Sequence, residues 1–187
     1  MTFDNRRSLH IVQEKHKLTI EFSWFHLWHI LAYILVMVGF FYLCLINPIH
    51  WDGRNIILIF VTLIQLLFIG AVPVLFYRIL TYLFNETIIE VDKKMLTIKH
   101  GPIPWWKGNI TLPTNEIIQL FVKETIRSGE GGDTYLYSLR AIKRDNFRVT
   151  LLSKGILQDK ETLKIEALIE QFLGIENAPV KGEYKEP

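Results

Sequence analysis

The sequence predicts an α+β membrane protein in which two apolar helices interrupt a series of β-strands. The first observation is the absence of Asp, Glu, Lys and Arg from Phe22 to Trp51 and again from Asn55 to Tyr77. The second is the alternation of apolar and polar residues on both sides of these stretches, a period typical of half-buried strands. The third is an amphipathic stretch near the end of the chain, which predicts a helix over 159–173.

The two apolar stretches predict membrane helices over 24–46 and 55–77, the second extending towards Phe84. About 20 apolar residues cross the ~30 Å hydrocarbon core, because a helix rises about 1.5 Å per residue. A pair of core helices in a soluble protein rarely lacks a charged face over so many turns. The polar turn at 47–54 joins the two stretches, so we expect a transmembrane hairpin over 24–84.

The placement of Lys and Arg predicts the orientation of this hairpin. Four such residues lie within 1–23 and four more follow the second apolar stretch, between 78 and 99, whereas the connecting turn has only Arg54. Cytoplasmic segments are enriched in Lys and Arg, so both termini are expected in the cytoplasm. The expected location is the bacterial inner membrane, or the thylakoid of a photosynthetic organism, with the termini on its stromal or cytosolic side.

The N-terminal segment 1–23 is predicted to contain two short strands. Leu18, Ile20 and Phe22 are apolar and alternate with polar residues, which gives one strand an apolar face that needs a cover. A two-stranded hairpin is only marginally stable alone. We therefore expect these strands to pair with the domain that follows residue 85.

The segment 85–175 is predicted to be a β-domain closed by a helix. About five alternating segments lie between 86 and 152, with a flexible turn at 128–133. The helix over 159–173 has one apolar stripe, and the segment 176–187 is predicted to be a polar tail with no packing signal in the sequence.

About seven strands closed by a C-terminal helix form the architecture of a pleckstrin-homology-like (PH-like) domain, here with the hairpin inserted after the second strand. The segments 85–92, 96–105, 112–113 and 116–120 resemble a widespread family of small bacterial proteins with two membrane helices and a PH-like domain. That resemblance implies this fold and no particular activity. The overall layout is also similar to the photosystem I assembly proteins of chloroplasts and cyanobacteria, which implies an assembly or accessory role.

The residue pattern does not favour an enzyme. The chain has no Gly-rich phosphate loop, no His-Glu-x-x-His and no Gly-x-Ser-x-Gly motif. A net charge of +2 is too small to indicate a nucleic-acid partner. The single cysteine, Cys44, cannot form an intrachain disulfide. We therefore expect no catalytic residues, no cofactor and no bound metal.

His26 and His29 provide the alternative function, a haem- or metal-binding redox subunit of a membrane complex. They lie three residues apart at the start of the first helix, and histidine ligates haem iron and other metals. A haem site between helices usually takes a ligand from each, and the stretch 55–77 contains no histidine. Hydrogen bonding at the level of the lipid headgroups is therefore the favoured interpretation of this pair.

The loop containing Trp105, Trp106 and Lys107 is a candidate docking site for a partner protein or lipid. Tryptophan is favoured at binding hot spots, and Pro102 and Pro104 stiffen the loop. The alternative is that one Trp packs on the domain core while the other lies against the bilayer.

Two further polar features are candidate contact sites. Gln65 lies near the middle of the second helix, where a polar side chain favours an interhelical hydrogen bond, within the hairpin or with a partner. Arg140, Lys143, Arg144 and Arg148 surround a predicted hairpin turn. They are interpreted as a solvated strand end, or as a contact with anionic lipid or an acidic partner.

The sequence therefore predicts a non-catalytic integral membrane adaptor, accessory subunit or assembly factor. It is expected to bind a larger membrane protein complex through its helices and its PH-like domain. The expected partners are this complex and membrane lipids, and not nucleic acid.

Overall fold

A computed structural model of the 187-residue chain describes residues 9–25, 27–46, 56–105, 109–129, 132–153, 157, 159–176 and 178–184. The chain is α+β, with two antiparallel sheets, and it divides into two compact units. One unit contains helices α1 (Leu27–Ile46) and α2 (Ile56–Phe84). The other contains the two sheets and the C-terminal helix α3 (Asp159–Leu173).

The first sheet has five strands in the order in which they occur along the chain: β1 (His10–Gln13), β2 (Lys17–Ser23), β3 (Glu86–Asp92), β4 (Met95–Gly101) and β5 (Ile110–Pro113). Strand β2 therefore lies beside β3, although both helices separate them in sequence. On the face of this sheet that is opposite the core, Glu90 of β3 forms ion pairs with Lys17 of β2 (2.5 Å) and Lys99 of β4 (2.9 Å). These contacts cross all three central strands.

The second sheet has three strands: β6 (Ile117–Gly129), β7 (Gly132–Lys143) and β8 (Arg148–Leu152). The ladder between β6 and β7 continues to the pair Gly129 and Gly132. The flexible turn expected over 128–133 is thus shorter than predicted. Ser128 and Gly129 pair with Asp133 and Gly132, because backbone pairing does not require apolar side chains. With the first sheet, the described residues form eight strands, against about seven expected.

The core of this unit is formed by both sheets and by α3. Leu18, Ile20 and Phe22 contribute from β2 because the period of two places all three on one face. Ile165 and Ile169 contribute from α3, where a spacing of four places them on one stripe. All five side chains are at most 2% exposed.

The C-terminal segment contacts the domain, although the sequence shows no packing signal over 176–187. Gly174 adopts a positive φ of 68° after the last turn of α3, and Ile175 N then donates to Glu170 O at 3.0 Å. Tyr184 N donates to Val122 O at 2.8 Å. The ring of Tyr184 packs edge-on against Tyr137, with 4.9 Å between centroids. One aromatic residue provides this packing, so no periodic pattern in the sequence indicates it.

Helices α1 and α2 are apolar on nearly all sides. One stretch of the described chain, the 23-residue Thr62–Phe84, is long and apolar enough by composition to cross a membrane, and the apolar stretch Ile30–Tyr42 is shorter. The start of α1 differs from the prediction, because Trp24 precedes the helix. The two helices contact each other, and the rings of Tyr33 and Tyr82 stack with centroids 6.0 Å apart.

Candidate interaction surfaces

The helical unit has a buried polar junction at Asn85, directly after α2. Asn85 N donates to Thr81 O at 3.0 Å, and Asn85 O accepts a bond from Trp24 N at 2.9 Å. Its side chain, which is 0% exposed, donates from Nδ2 to Ile103 O at 3.0 Å and accepts from Ile103 N at 2.8 Å. A carboxamide has both a donor and an acceptor, so it satisfies both backbone groups of one residue. The backbone of Ile103 is fixed in this way.

The predicted docking loop is described only in part. Trp105 is half-buried, whereas Trp106 and Lys107 lie outside the described residues. The peptide bond between Gly101 and Pro102 in the same loop is cis. The structure therefore provides a position for one of the three candidate residues.

The histidine pair also falls largely outside the description. His26 and the side chain of His29 are among the positions that the structure does not describe. Within the described residues, no group of three or more His, Cys, Asp and Glu side chains is arranged to hold a metal ion.

Large apolar side chains cover the exposed surface of the helical unit. Examples are Trp28 (66% exposed) and Leu35 (76%) on α1, with Phe60 (67%) and Leu67 (76%) on α2. Exposed apolar patches of more than a few hundred Å² mark contact with protein or membrane. In contrast, Gln65 is only 1% exposed. The polar side chain of Gln65 is thus inside, whereas the large apolar side chains of Phe60 and Leu67 are outside.

An apolar groove of about 450 Å³ lies between α1 and α2. Its lining has no polar surface and consists of Ile34, Met37, Val38, Phe41, Phe76 and Ile79. The chemistry of this lining suits a hydrocarbon chain or an apolar side chain, and no polar ligand.

The four basic residues predicted as one patch fall into two groups. Lys143 Nζ lies 2.9 Å from Glu116 Oε2 and 3.7 Å from Asp145 Oδ2, and the hydrogen bond to Glu116 raises the pKa of Lys143. Arg144 lies in the turn, where its backbone N donates to Glu116 O at 2.9 Å. The charge of Lys143 is therefore compensated within the domain.

Arg140 and Arg148 belong to the second group, on the face of the second sheet that is opposite the core. We call this the outer face. The guanidinium of Arg148 lies 5.4 Å from the ring centroid of Phe121, within cation–π range. Arg140 is the cross-strand partner of Phe121, and its Nε is buried with no hydrogen-bond acceptor among the described residues.

Two further cations lie on the outer face, and neither is a candidate contact residue in the sequence-based prediction. Lys123 and Arg127 lie four residues apart on β6, in register with Ser138 and Thr134 of β7. A period of two places them on the same face as Phe121. The described strand residues of this face include four cations, those of Lys123, Arg127, Arg140 and Arg148, and no carboxylate. Strand period alone is the signal that identifies this set.

Carboxylates cover one part of the free edge of β6. Glu170 Oε1 of α3 accepts hydrogen bonds from Gln119 Nε2 (3.1 Å) and Leu120 N (3.4 Å). Glu166, one helical turn earlier, is 4% exposed, and its Oε1 has no hydrogen-bond partner among the described residues. Burial, followed by the charges of Glu170 and Glu183, raises the pKa of Glu166 to about 7. The i, i+4 spacing of the two glutamates beside the apolar stripe is the sequence signal for this pair.

These features define an α+β protein with one strongly apolar helical unit and one β-rich unit that has a cationic outer face. No model of a known protein family matches the chain, and no curated protein matches it either.

Proposed function

We propose that this chain is an integral membrane adaptor, an accessory subunit or assembly factor that binds a larger membrane protein complex. The observation that carries the proposal is the exposed apolar surface of α1 and α2. Leaving so many large apolar side chains in water is unfavourable, at roughly 25 cal/mol per Å² of apolar surface. Lipid or a membrane-embedded partner removes this cost.

The two helices have lengths that suit a transmembrane hairpin. The 20 residues of α1 correspond to about 30 Å, the thickness of the hydrocarbon core. The 29 residues of α2 correspond to about 43 Å, so its end extends beyond the core. The stacking of Tyr33 near the start of α1 on Tyr82 near the end of α2 supports an antiparallel pair. The distribution of Lys and Arg supports two cytoplasmic termini in the bacterial inner membrane or its thylakoid counterpart.

The β-rich unit is proposed to be a PH-like domain. Two antiparallel sheets of five and three strands, closed by a C-terminal helix, support this assignment. The resemblance of the chain to small bacterial proteins with two membrane helices and a PH-like domain agrees with it. In this arrangement the hairpin is an insertion between β2 and β3.

Binding is favoured over catalysis by the nature of the described surfaces. They are an apolar groove, a cationic outer face and apolar helix surfaces. Each of these suits a macromolecular or lipid contact, since each offers area and charge instead of a converging set of reactive groups.

The test is gentle extraction of the tagged chain from its native membrane, followed by native electrophoresis and mass spectrometry of co-migrating proteins. We expect a particle several times larger than the 22.0 kDa chain. Alkaline extraction of the same membranes is the control for anchoring, and the chain should stay in the pellet. Release by alkali would contradict the membrane anchor, and recovery only as a free monomer would contradict the adaptor role.

A further inference from the structure

Strands β6 and β7 continue past the core as a two-stranded arm, which we define as Lys123–Gly129 with Gly132–Tyr137. Ile126 and Tyr135 are cross-strand partners in the arm and are 54% and 52% exposed. They lie on the same face as the buried core pair Val122 and Leu139, because strand side chains alternate with a period of two. The arm therefore extends the core face into solvent with an apolar pair uncovered.

Along the arm, no described strand pairs with the edge of β6 that faces away from β7. Leu120 N and Val122 O already bond to groups outside the sheet, so alternate residues of β6 direct their backbone groups to this edge. The same alternation applies to Glu124, Ile126 and Ser128. The outward backbone groups of Glu124, Ile126 and Ser128 form no hydrogen bond with any described residue.

The C-terminal segment contacts this edge at one position, directly after a turn in which Glu183 N donates to Val180 O at 3.1 Å. Tyr184 N donates to Val122 O at the position directly before the open part, and its ring covers Tyr137 of the arm. One backbone bond and one ring contact show that a chain segment can lie against this edge at Val122, and the described residues do not continue along the arm.

Long open edges are normally protected by proline, bulges or charge. The 13-residue β6 has no proline, and the arm contains Lys123 and Arg127 on its outer face. Neither side chain takes part in an ion pair with a described residue. The two cations therefore offer charge to a strand that would lie beside them.

We propose that the open edge of β6 from Glu124 to Ser128 binds an extended acidic segment of a partner protein, which adds to the sheet as a strand. Carboxylates on one face of this segment would pair with Lys123 and Arg127, and apolar residues on its other face would cover Ile126 and Tyr135. This inference rests on the proposed adaptor function and specifies the chemistry of one partner.

Charge favours an acidic segment over a second copy of this chain. Two β6 edges paired antiparallel about Thr125 would place Lys123 of each copy opposite Arg127 of the other, and like charges in that position are destabilising. In the other direction the edge is already covered by Glu170, whose Oε1 accepts hydrogen bonds from Gln119 Nε2 and Leu120 N. The acidic segment is thereby confined to the arm.

The experiment measures binding of a fluorescent peptide that alternates Glu and Val to the full chain in zwitterionic detergent, by anisotropy. The matched probe alternates Lys and Val. We expect the wild-type chain to bind the Glu peptide more tightly than the Lys peptide. The double variant Lys123→Glu/Arg127→Glu should bind the Glu peptide about tenfold or more weakly than the wild-type chain does, and it should bind the Lys peptide more tightly. The control, Lys160→Glu/Lys164→Glu on the exposed face of α3, should leave both affinities unchanged.

A backbone variant tests the mode of binding. Ile126→Pro removes one outward N–H while leaving the inward bonds of β6 to β7, since edge strands tolerate proline in this position. It should abolish binding of both peptides, with thermal unfolding as the check that the domain is intact. If this variant does not fold, the charge exchange remains a sufficient test, because both substitutions are on the surface.

Several results would overturn the inference. Equal affinity for the two peptides, or no exchange of preference in the double variant, would show that Lys123 and Arg127 do not select the strand. A concentration-dependent dimer that Ile126→Pro abolishes would assign the edge to a second copy. If the native complex co-purifies with the double variant as with the wild-type chain, the arm is not its contact, although the adaptor function stands. If the wild-type chain has no complex, the adaptor function itself fails.

Discussion

The side-chain amide of Asn85 binds both backbone groups of Ile103, donating at 3.0 Å and accepting at 2.8 Å. Because Asn85 also follows α2 directly and accepts a bond from Trp24 N, one buried residue joins three segments of the helical unit. The side-chain amide of Asn85 thus forms the two backbone hydrogen bonds with Ile103 that a neighbouring strand would otherwise form. This explains how the half-buried Ile103, between two prolines, keeps both of its backbone groups hydrogen-bonded.

Replacing Asn85 with Ala should destabilise the protein by about 2 kcal/mol, because both backbone groups of the half-buried Ile103 then lose their partners. Asn85→Asp should also destabilise it, since the carboxylate cannot donate to Ile103 O. Asn109→Ala is the matched control: Asn109 is exposed and accepts one bond, from His100 N at 3.0 Å. The measurement is chemical unfolding in detergent. Equal effects at the two positions would show that the junction does not stabilise the fold.

The buried Glu166 predicts a stability that decreases as the pH rises. Its folded-state pKa of about 7 exceeds the ordinary value of 4.5, so the folded state holds the proton more tightly. The resulting stabilisation is complete below pH 4.5 and is lost as the pH rises to about 7. At 1.36 kcal/mol per pH unit, the free energy of unfolding should fall by up to about 3 kcal/mol over this range.

Glu166→Gln is the variant that tests this relation. The amide keeps an acceptor for Val122 N but carries no charge, so this variant should be more stable than the wild-type chain at pH 8 and show a flatter pH profile. Glu176→Gln, at an exposed position after α3, is the control and should leave the profile unchanged. A full pH dependence in Glu166→Gln would mean that Glu170, whose pKa burial also raises, is responsible.

Local periodicity explains which parts of the fold were predictable from the sequence. The period of two in β2 and the stripe of α3 each lie within one element, so the sequence shows them directly. The contact of Asn85 with Ile103 spans 18 residues and follows no period, so it depends on where two segments meet. The end of β6 is hidden from the sequence for another reason: its last residues, Ser128 and Gly129, are typical of turns.

The candidate surfaces were predictable to a similar degree. Residue type identified Arg140 and Arg148 as basic candidates, but the ion pair that compensates Lys143 depends on Glu116, which is distant in sequence. Lys123 and Arg127 are not near the hairpin turn that the basic candidates surround. They share a face only through the period of the strand, so residue type near a turn does not identify them.

The membrane orientation is open to a direct test with introduced cysteines in a Cys44→Ala background. The distribution of Lys and Arg predicts that position 50 faces away from the cytoplasm and position 181 faces it. His50→Cys should therefore react with a membrane-impermeant maleimide in intact cells, whereas Lys181→Cys should react only after permeabilisation. Labelling in the opposite order would reverse the proposed topology, and equal labelling of both positions would contradict the hairpin.

The last prediction concerns Trp105, which is half-buried in the loop that follows Ile103. A large aromatic side chain on a backbone restricted by two prolines loses little entropy on binding, which favours it as an anchor. If Trp105 contacts the partner complex, Trp105→Ala should weaken that binding by about 2 kcal/mol, as is common at aromatic hot spots. Trp106→Ala is the matched variant at the neighbouring position.

Recovery of the native complex and thermal unfolding of the chain should be measured for both tryptophan variants. Loss of the complex with unchanged unfolding assigns the affected Trp to a docking contact. Loss of several kcal/mol of stability, with binding per folded molecule unchanged, assigns it to the domain core, because removing a buried Trp side chain costs about 3–5 kcal/mol. If both variants show that second result, the loop is a packing element and the docking contact lies elsewhere on the protein.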